Sequence, residues 1–436
     1  LPVSPSGLYV GVAKRNITPD GPVNLGGYGF GPGRRSTGVL APIHVRALVV
    51  SNGQRTIAFA QNETQGTFVA YRRGPWGLAD TRRMIAGATG GAIAADHVVL
   101  SSDHSHAGPD TSGVWGGLPN SYMTFLRDQT VGAVVDAWNA LQPAQLWLGS
   151  VDASELLNSQ FDQPPNDVVD GELRVLVATD PEDPAKVQTV LINFAAHATV
   201  MGSENLLVSS DWPGVTAALV EDALQIDTAV VMVADVGRTQ PARGSGRTEP
   251  AKLDNYAAQV ANKVRQAAAD LRPVNGSDIA SALLYLREPY GNPLIDASLL
   301  LSIVSRSDQP PWLQGTDVGT LTSALRIGDV LFLAIPGEGY PSILFELQQR
   351  VAAQEHFIFG LANDQLGYLI APEEGYPQVH AAAPQNDNAI FNVSPAIGDH
   401  VMCTLFKAVR QIDFAMPVDP EKCAVWAAED NSLPPW

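Results

Sequence analysis

Residues 97–110 read HVVLSSDHSHAGPD. A short apolar run, Val98-Val99-Leu100, gives way to polar residues and then to two histidines one residue apart, ahead of a Gly-Pro turn. Open α/β sheets gather their chemistry just beyond the carboxyl ends of buried strands. The bland alternative is a pair of solvated residues where a strand leaves the core. Recurrence favours the first reading. The run VLINFAA, residues 190–196, leads to His197, and VLFLAIPG, residues 330–337, leads to Glu338. The segment FIFG, residues 357–360, opens a stretch that reaches Tyr368.

Outward from these runs, strands and helices interleave along the whole chain. Strand-like segments fall at 7–18, 144–152, 172–179, 186–196, 229–236, 280–287 and 356–361. Asn52-Gly53 and Gly328-Asp329 mark hairpins between β-branched runs. Helical spacing appears at 77–88, 121–141, 213–224, 253–271, 341–353 and 399–412. No Ser/Gly linker or internal repeat divides the chain. The expected fold is therefore mixed α/β: one large body of mixed β-sheets with flanking helices, its active site at strand C-terminal ends. Residues 1–414 form that body, and 415–436 form an irregular C-terminal tail packed on it.

Composition narrows the function. With 436 residues, 45 % of them apolar, the chain can bury a sizeable core. A net charge of −18 argues against nucleic acid or an anionic membrane as partner. No apolar run is long enough to span a bilayer, so no transmembrane segment is expected. The sequence begins at Leu1 rather than Met, which fits a removed secretion signal and an extracytoplasmic location. There are two cysteines, Cys403 and Cys423, too few for a Cys-based zinc motif. Paired, they would tie the tail to the preceding helix and contribute roughly 3 kcal/mol. Two free thiols are the alternative.

Two imidazoles and a carboxylate with one position open make up a catalytic zinc site, and a phenol near a divalent cation loses its proton more easily. Each residue also has a plainer reading. His197 can be a hydrogen-bonded core residue, Glu338 a carboxylate at a helix N-terminus, and Tyr368 part of the core. Which of His104 and His106 would bind is open on spacing alone. Asp103 or Asp211 can orient a bound imidazole through its other ring nitrogen, and Asp211 before Trp212-Pro213 can equally be a helix N-cap. Trp115 and Trp212 stand close in sequence to the site and are candidates for an acyl pocket.

These residues resemble the N-terminal catalytic region of the neutral/alkaline ceramidases, zinc-dependent amidases that split ceramide into a sphingoid base and a fatty acid. VGVAKRNITPDGPVNLGGYG (10–29) is similar to that family's first strand and glycine-rich turn, and SSDHSHAGPD (101–110) to its His-x-His signature. NFAAHATVMG followed by SSDWPG, IPGEGYPSILFEL, and GLANDQLGYLIAPEEGY follow in the family's order. The resemblance implies one Zn²⁺ per chain, held by His104, His197, Glu338 and Tyr368, with His106 as the acid–base catalyst. It implies a small-molecule or lipid N-acyl substrate.

The chain departs from the pattern in places. Asn158 is followed directly by Ser159, where the family has a substrate-binding arginine between them. Gly237 and Arg238 follow Asp235-Val236, where serine and proline are expected. The family's C-terminal β-sandwich has no counterpart in these 436 residues.

On an extended segment, side chains two residues apart point the same way, which would set His106 beside a metal held by His104. The hydrolytic alternatives are an esterase or lactonase on the same site. From another class comes a non-catalytic lipid- or carbohydrate-binding relative. A dinuclear phosphoesterase lacks its bridging motifs here, and no Gly-x-Ser-x-Gly elbow supports a serine hydrolase.

Overall fold

In the computed structural model, residues 3–160, 168–301, 303–307, 317–371, 388, 391–416 and 418–433 are described. The Asn52-Gly53 signal makes the hairpin it predicts. Asn52 Oδ1 accepts from the amides of Gln54 and Arg55, and Gly53 takes φ +81°. The hairpin joins β2 (His44–Ser51) to β3 (Thr56–Asn62), and β1 (Tyr9–Asn16) pairs antiparallel with β2. The chain then crosses over through α1 (Leu78–Ala88) to β4 (Val98–Ser102), which lies parallel to β3. Helix α2 (Asn120–Asn139) packs on β1 and β2.

The next two sheets repeat this plan. In the second, β5 (Gln145–Asp152), β6 (Glu172–Thr179) and β7 (Val187–Phe194) form an antiparallel meander. Helix α3 (Trp212–Leu224) returns the chain to β8 (Val230–Val233), parallel to β7, and α4 (Glu249–Ala267) packs on α3, β5 and β6. In the third, β9 (Ile279–Pro289), β10 (Asp317–Ile327) and β11 (Val330–Ala334) are antiparallel, with α5 (Pro293–Leu300) between the first two. The pair β12 (Glu338–Gly339) and β14 (Tyr368–Leu369) lies outside that sheet. Helix α6 (Pro341–Arg350) leads to β13 (Glu355–Phe359), parallel to β11. Helix α7 (Ile397–Gln411) covers β9 and β10.

Each large sheet thus ends in a parallel edge strand, and the three edges meet. Ser102 N donates to Leu361 O, Asn363 N to Leu100 O, and Gly360 N to Val233 O. Edge strands that would otherwise offer unpaired backbone groups are closed against one another. Phe59, Val99, Leu191, Met232, Phe332 and Phe357, drawn from all three sheets, share one core cluster. Strands covered on both faces need not alternate, which is why β3 and β11 are buried at every position.

The expected mixed α/β fold is the one observed, with shifted boundaries. Helix α4 begins at Glu249 rather than 253, because the Thr248 hydroxyl accepts from Ala251 N and Pro250 fits the first turn. Helix α5 was not anticipated, although Asn292-Pro293 is a helix start: Asn292 Oδ1 accepts from Leu294 N. Cys403 and Cys423 form a disulfide with Cα atoms 5.3 Å apart. The tail is more regular than expected, with a 3-10 helix at Glu421–Trp426 and Tyr285 N bonded to Asn431 O. Residues 434–436 of the tail and 372–376 of the Glu-Glu-x-Tyr segment lie outside the described residues. Among the described residues no helix is long and apolar enough to cross a membrane.

Candidate metal centre

The loop after β4 lies on the loop after β3: Asp103 N donates to Asn62 O and His104 N to Thr64 O. His104 sits at φ +61°, a conformation that costs a non-glycine residue. The expectation of an extended His-x-His segment is therefore corrected. A turn, closed by Gly108 N on Ser105 O, swings the two imidazoles toward one point. His106 N is meanwhile fixed to Ala198 O, on the loop after β7. Glu338 and Tyr368 come from β12 and β14, which pair parallel with these two residues in register.

His104, His106 and His197 form a buried group that can hold a metal ion. His106 Nε2 lies 3.3 Å from His104 Nε2 and 3.2 Å from His197 Nε2. Glu338 Oε2 is 3.3 Å from His104 Nε2 and 3.8 Å from His197 Nε2, and the Tyr368 hydroxyl hydrogen-bonds the Glu338 carboxylate. Ligands at about 2.0–2.1 Å around a tetrahedral ion stand about 3.3 Å apart, so the spacing suits one.

The proton inventory points the same way. His104 Nδ1 is 2.7 Å from Gln65 O and His197 Nδ1 is 3.1 Å from Val236 O. A carbonyl only accepts, so each Nδ1 carries a hydrogen, and when the ring is neutral its Nε2 presents a lone pair. Glu338 Oε2 has no donor of good geometry among the described residues. With both rings neutral these acceptors face one another, an arrangement that a cation satisfies. With no cation, burial lowers the His104 pKa, but the Glu338 carboxylate beside it outweighs this and raises it above the ordinary imidazole value.

Burial sets the charges. It lowers the His197 pKa to about 4, with the His104 charge adding to the effect. Burial alone would raise the Glu338 carboxyl, but His104 beside it, with His197 and Tyr368, holds it below the usual carboxylate range. Burial and the neighbouring His104 and His197 hold His106 well below the ordinary imidazole value.

Neither Asp103 nor Asp211 orients an imidazole, which corrects that expectation: both ring Nδ1 positions are already taken by backbone carbonyls. Asp103 instead accepts from Ser105 N and the Ser210 hydroxyl, tying the histidine turn to the segment before α3. Asp211 accepts from Val200 N, Met201 N and Trp212 N, bracing the loop after His197. It does so at φ 57°, ψ −149°, a region almost reserved for glycine. Gly27, at φ +94°, leaves room for the His106 ring, into which a Cβ would run. Tyr28 meets the same ring edge-on, with centroids 4.6 Å apart. Sequence reading passed over Gln65, Tyr28 and Arg34 as neighbours of the centre; the glycine-rich turn was the available signal for Tyr28.

Residues 8–263, more than half the chain, match the family model of the neutral/alkaline non-lysosomal ceramidases, N-terminal region. The chain belongs to this family. Its fold is similar to the crystal structure of neutral ceramidase from Pseudomonas aeruginosa, at 17 % identity and a TM-score of 0.77, over 98 % of this chain and 76 % of that one. A ceramidase complexed with C2 is similar at 15 % identity and a TM-score of 0.75, over 95 % and 77 % of the two chains. Glu338 and Tyr368 lie beyond the matched segment, so their place beside the histidines rests on geometry.

Where the chain departs from the ceramidase pattern, the residues have packing roles. Gly237 N bonds Gly339 O, and a Cβ at Gly237 would stand 2.6 Å from Glu338 O. Arg238 is buried, donating to Val168 O and lying over the Tyr340 ring. The centre forms part of the wall of a cavity of about 590 Å³. Leu294, Ile295, Leu299 and Val304 give it an apolar stretch, and Thr199, Gln240 and Arg243 a polar one. Trp115 lines the cavity, with Nε1 bonded to Gly29 O. Trp212 does not: it is core, packed on Phe194 and Tyr256.

Proposed function

We propose that the chain is a zinc-dependent amidohydrolase that cleaves the linear amide of an N-acyl lipid or a related N-acyl compound. His104, His197, Glu338 and Tyr368 would hold one Zn²⁺, and His106 would move the protons. One observation carries the reading. Two imidazoles locked by backbone carbonyls and a buried carboxylate turn their acceptors on one point, at the wall of a half-apolar cavity.

Neutral imidazoles with a hard carboxylate suit Zn²⁺. Bound there, the ion would supply Lewis acidity toward a carbonyl oxygen and toward water. His106 fits the proton role because, among the described residues, its Nδ1 lacks the anchoring partner that ligating histidines carry. The net reaction adds water across the C–N bond and yields a carboxylate and an amine. His106 Nε2 takes a proton from water as the C–O bond forms and returns it to the nitrogen as the C–N bond breaks. Family membership and the apolar wall support a fatty acyl group. The disulfide supports an extracytoplasmic location.

The test is fatty-acid release from ceramide and simpler fatty amides by purified protein, before chelation, after it, and with zinc restored. Release that disappears and returns with zinc supports the reading. Binding without release in any metal state would make the chain a lipid-binding relative, and release from esters alone would make it an esterase.

A further inference from the structure

The polar part of the cavity carries positive charge that a neutral lipid head does not require. The whole chain has a net charge of −18. Yet among the described residues lining the cavity there is one carboxylate, Glu338, against the guanidiniums of Arg243 and Arg306. Arg306 is engaged in a buried ion pair with Asp364.

Arg243 is less committed. Its Nη2 donates to Thr199 O at 3.2 Å and lies 3.4 Å from Glu249, which also binds Lys252 at 2.6 Å. Glu249 is thus shared between two bases, and Asp211, the other acid acting on Arg243, forms no ion pair with it among the described residues, so the guanidinium fork stays partly free. Arg34, near Glu204, donates to the carbonyls of Gly26, His106, Ser203 and Asn205, with no carboxylate ion-paired to it among the described residues.

Position matters as much as sign. Thr199 stands two residues beyond His197, and its hydroxyl donates to Gln240 Oε1 at 2.9 Å. The Arg243 guanidinium is thus held on the loop that carries one imidazole of the centre, with 42 % of its side chain still open. An arginine there can offer its fork to a carboxylate, a pairing stronger and more directional than a hydroxyl would make.

Building on the amidohydrolase reading, we infer that Arg243 is a specificity-determining residue and that the substrate class is N-acyl amino acids. The acyl chain lies along α5, and the carboxylate of the amine half sits on the Arg243 guanidinium.

Calorimetric binding of N-octanoylglycine and its uncharged counterpart N-octanoylglycinamide to the wild-type protein, Arg243→Gln and Arg243→Lys tests the inference. The wild type should favour the carboxylate by about tenfold or more, the worth of one charge-assisted hydrogen bond. Arg243→Gln should bring the ratio of the two affinities toward one, and Arg243→Lys should keep part of it. Equal affinities in the wild type, or an unchanged ratio in Arg243→Gln, would overturn the inference. Octanoate release is measured separately. If none is released, the hydrolase reading fails, while the affinity ratio still decides the head group.

Discussion

His104 Nε2 and Glu338 Oε2 lie 3.3 Å apart, although the strands that deliver them belong to different sheets and 234 residues separate them (338 − 104). Burial makes an uncompensated carboxylate there costly, so the pair is either bridged by a cation or shares a proton. In the bridged state His104→Ala should lose the metal. Its metal affinity should fall by more than the 10- to 100-fold typical of supporting residues, roughly, and activity should fall with it. Metal content of the purified variant against wild type checks this.

His106→Ala separates proton transfer from metal binding. The metal content should stay near one per chain while turnover falls by about 10²–10⁴-fold. Metal loss equal to that of His104→Ala would make His106 a third imidazole ligand instead.

Gly27→Ala should reproduce the His106 defect without touching either histidine. The added Cβ runs into the His106 ring, and the backbone at φ +94° resists any side chain. Strain of about 1–3 kcal/mol is expected, read as lower turnover with the metal retained.

Asp211 gives a pH signature. Burial raises its pKa from 3.8 to about 6 despite three amide donors. Between these values the unfolded chain has released the proton while the folded chain keeps it. This residue therefore makes stability fall as pH rises from about 4 to 6 and level off above. Asp211→Asn should flatten that window and lower stability by about 1–3 kcal/mol through the amide left without its acceptor. Denaturant titrations across the window check both effects.

The Cys403–Cys423 bond closes a 20-residue separation between α7 and the tail. Cys423→Ala should cost roughly 3 kcal/mol, measured as a lower Tm. His400, whose ring nitrogens each lie 2.7 Å from a carboxylate, of Glu288 and Glu429, still holds the two segments together. The loss should therefore be partial.

Strand-end polar residues made much of this legible in the sequence. Apolar runs located β4, β7 and β11, and the residues just past them are the ones that converge. The turn at His104 was not legible, because nothing in Asp-His-Ser-His announces a positive φ; the tertiary hydrogen bond to Thr64 O imposes it. Nor were the partners of the imidazoles, since Gln65 and Val236 act through backbone carbonyls, which every residue type possesses. Asp103 was found as a residue but misread as to what it holds, because a carboxylate near a histidine in sequence carries no information on direction. Asp211 is the helix N-cap that Asp211-Trp212-Pro213 also offered, its side chain accepting from Trp212 N. Helix α5 was missed for its shortness, although it supplies much of the cavity's apolar wall.

The docking of three sheet edges has a consequence for assembly. A ribosome making this polypeptide has released every imidazole of the cluster long before Tyr368 appears, so the pocket can be completed only after residue 368 has emerged. A nick or fold defect in any one sheet should abolish the cluster outright, making metal retention a single-number readout of whether the entire molecule has come together.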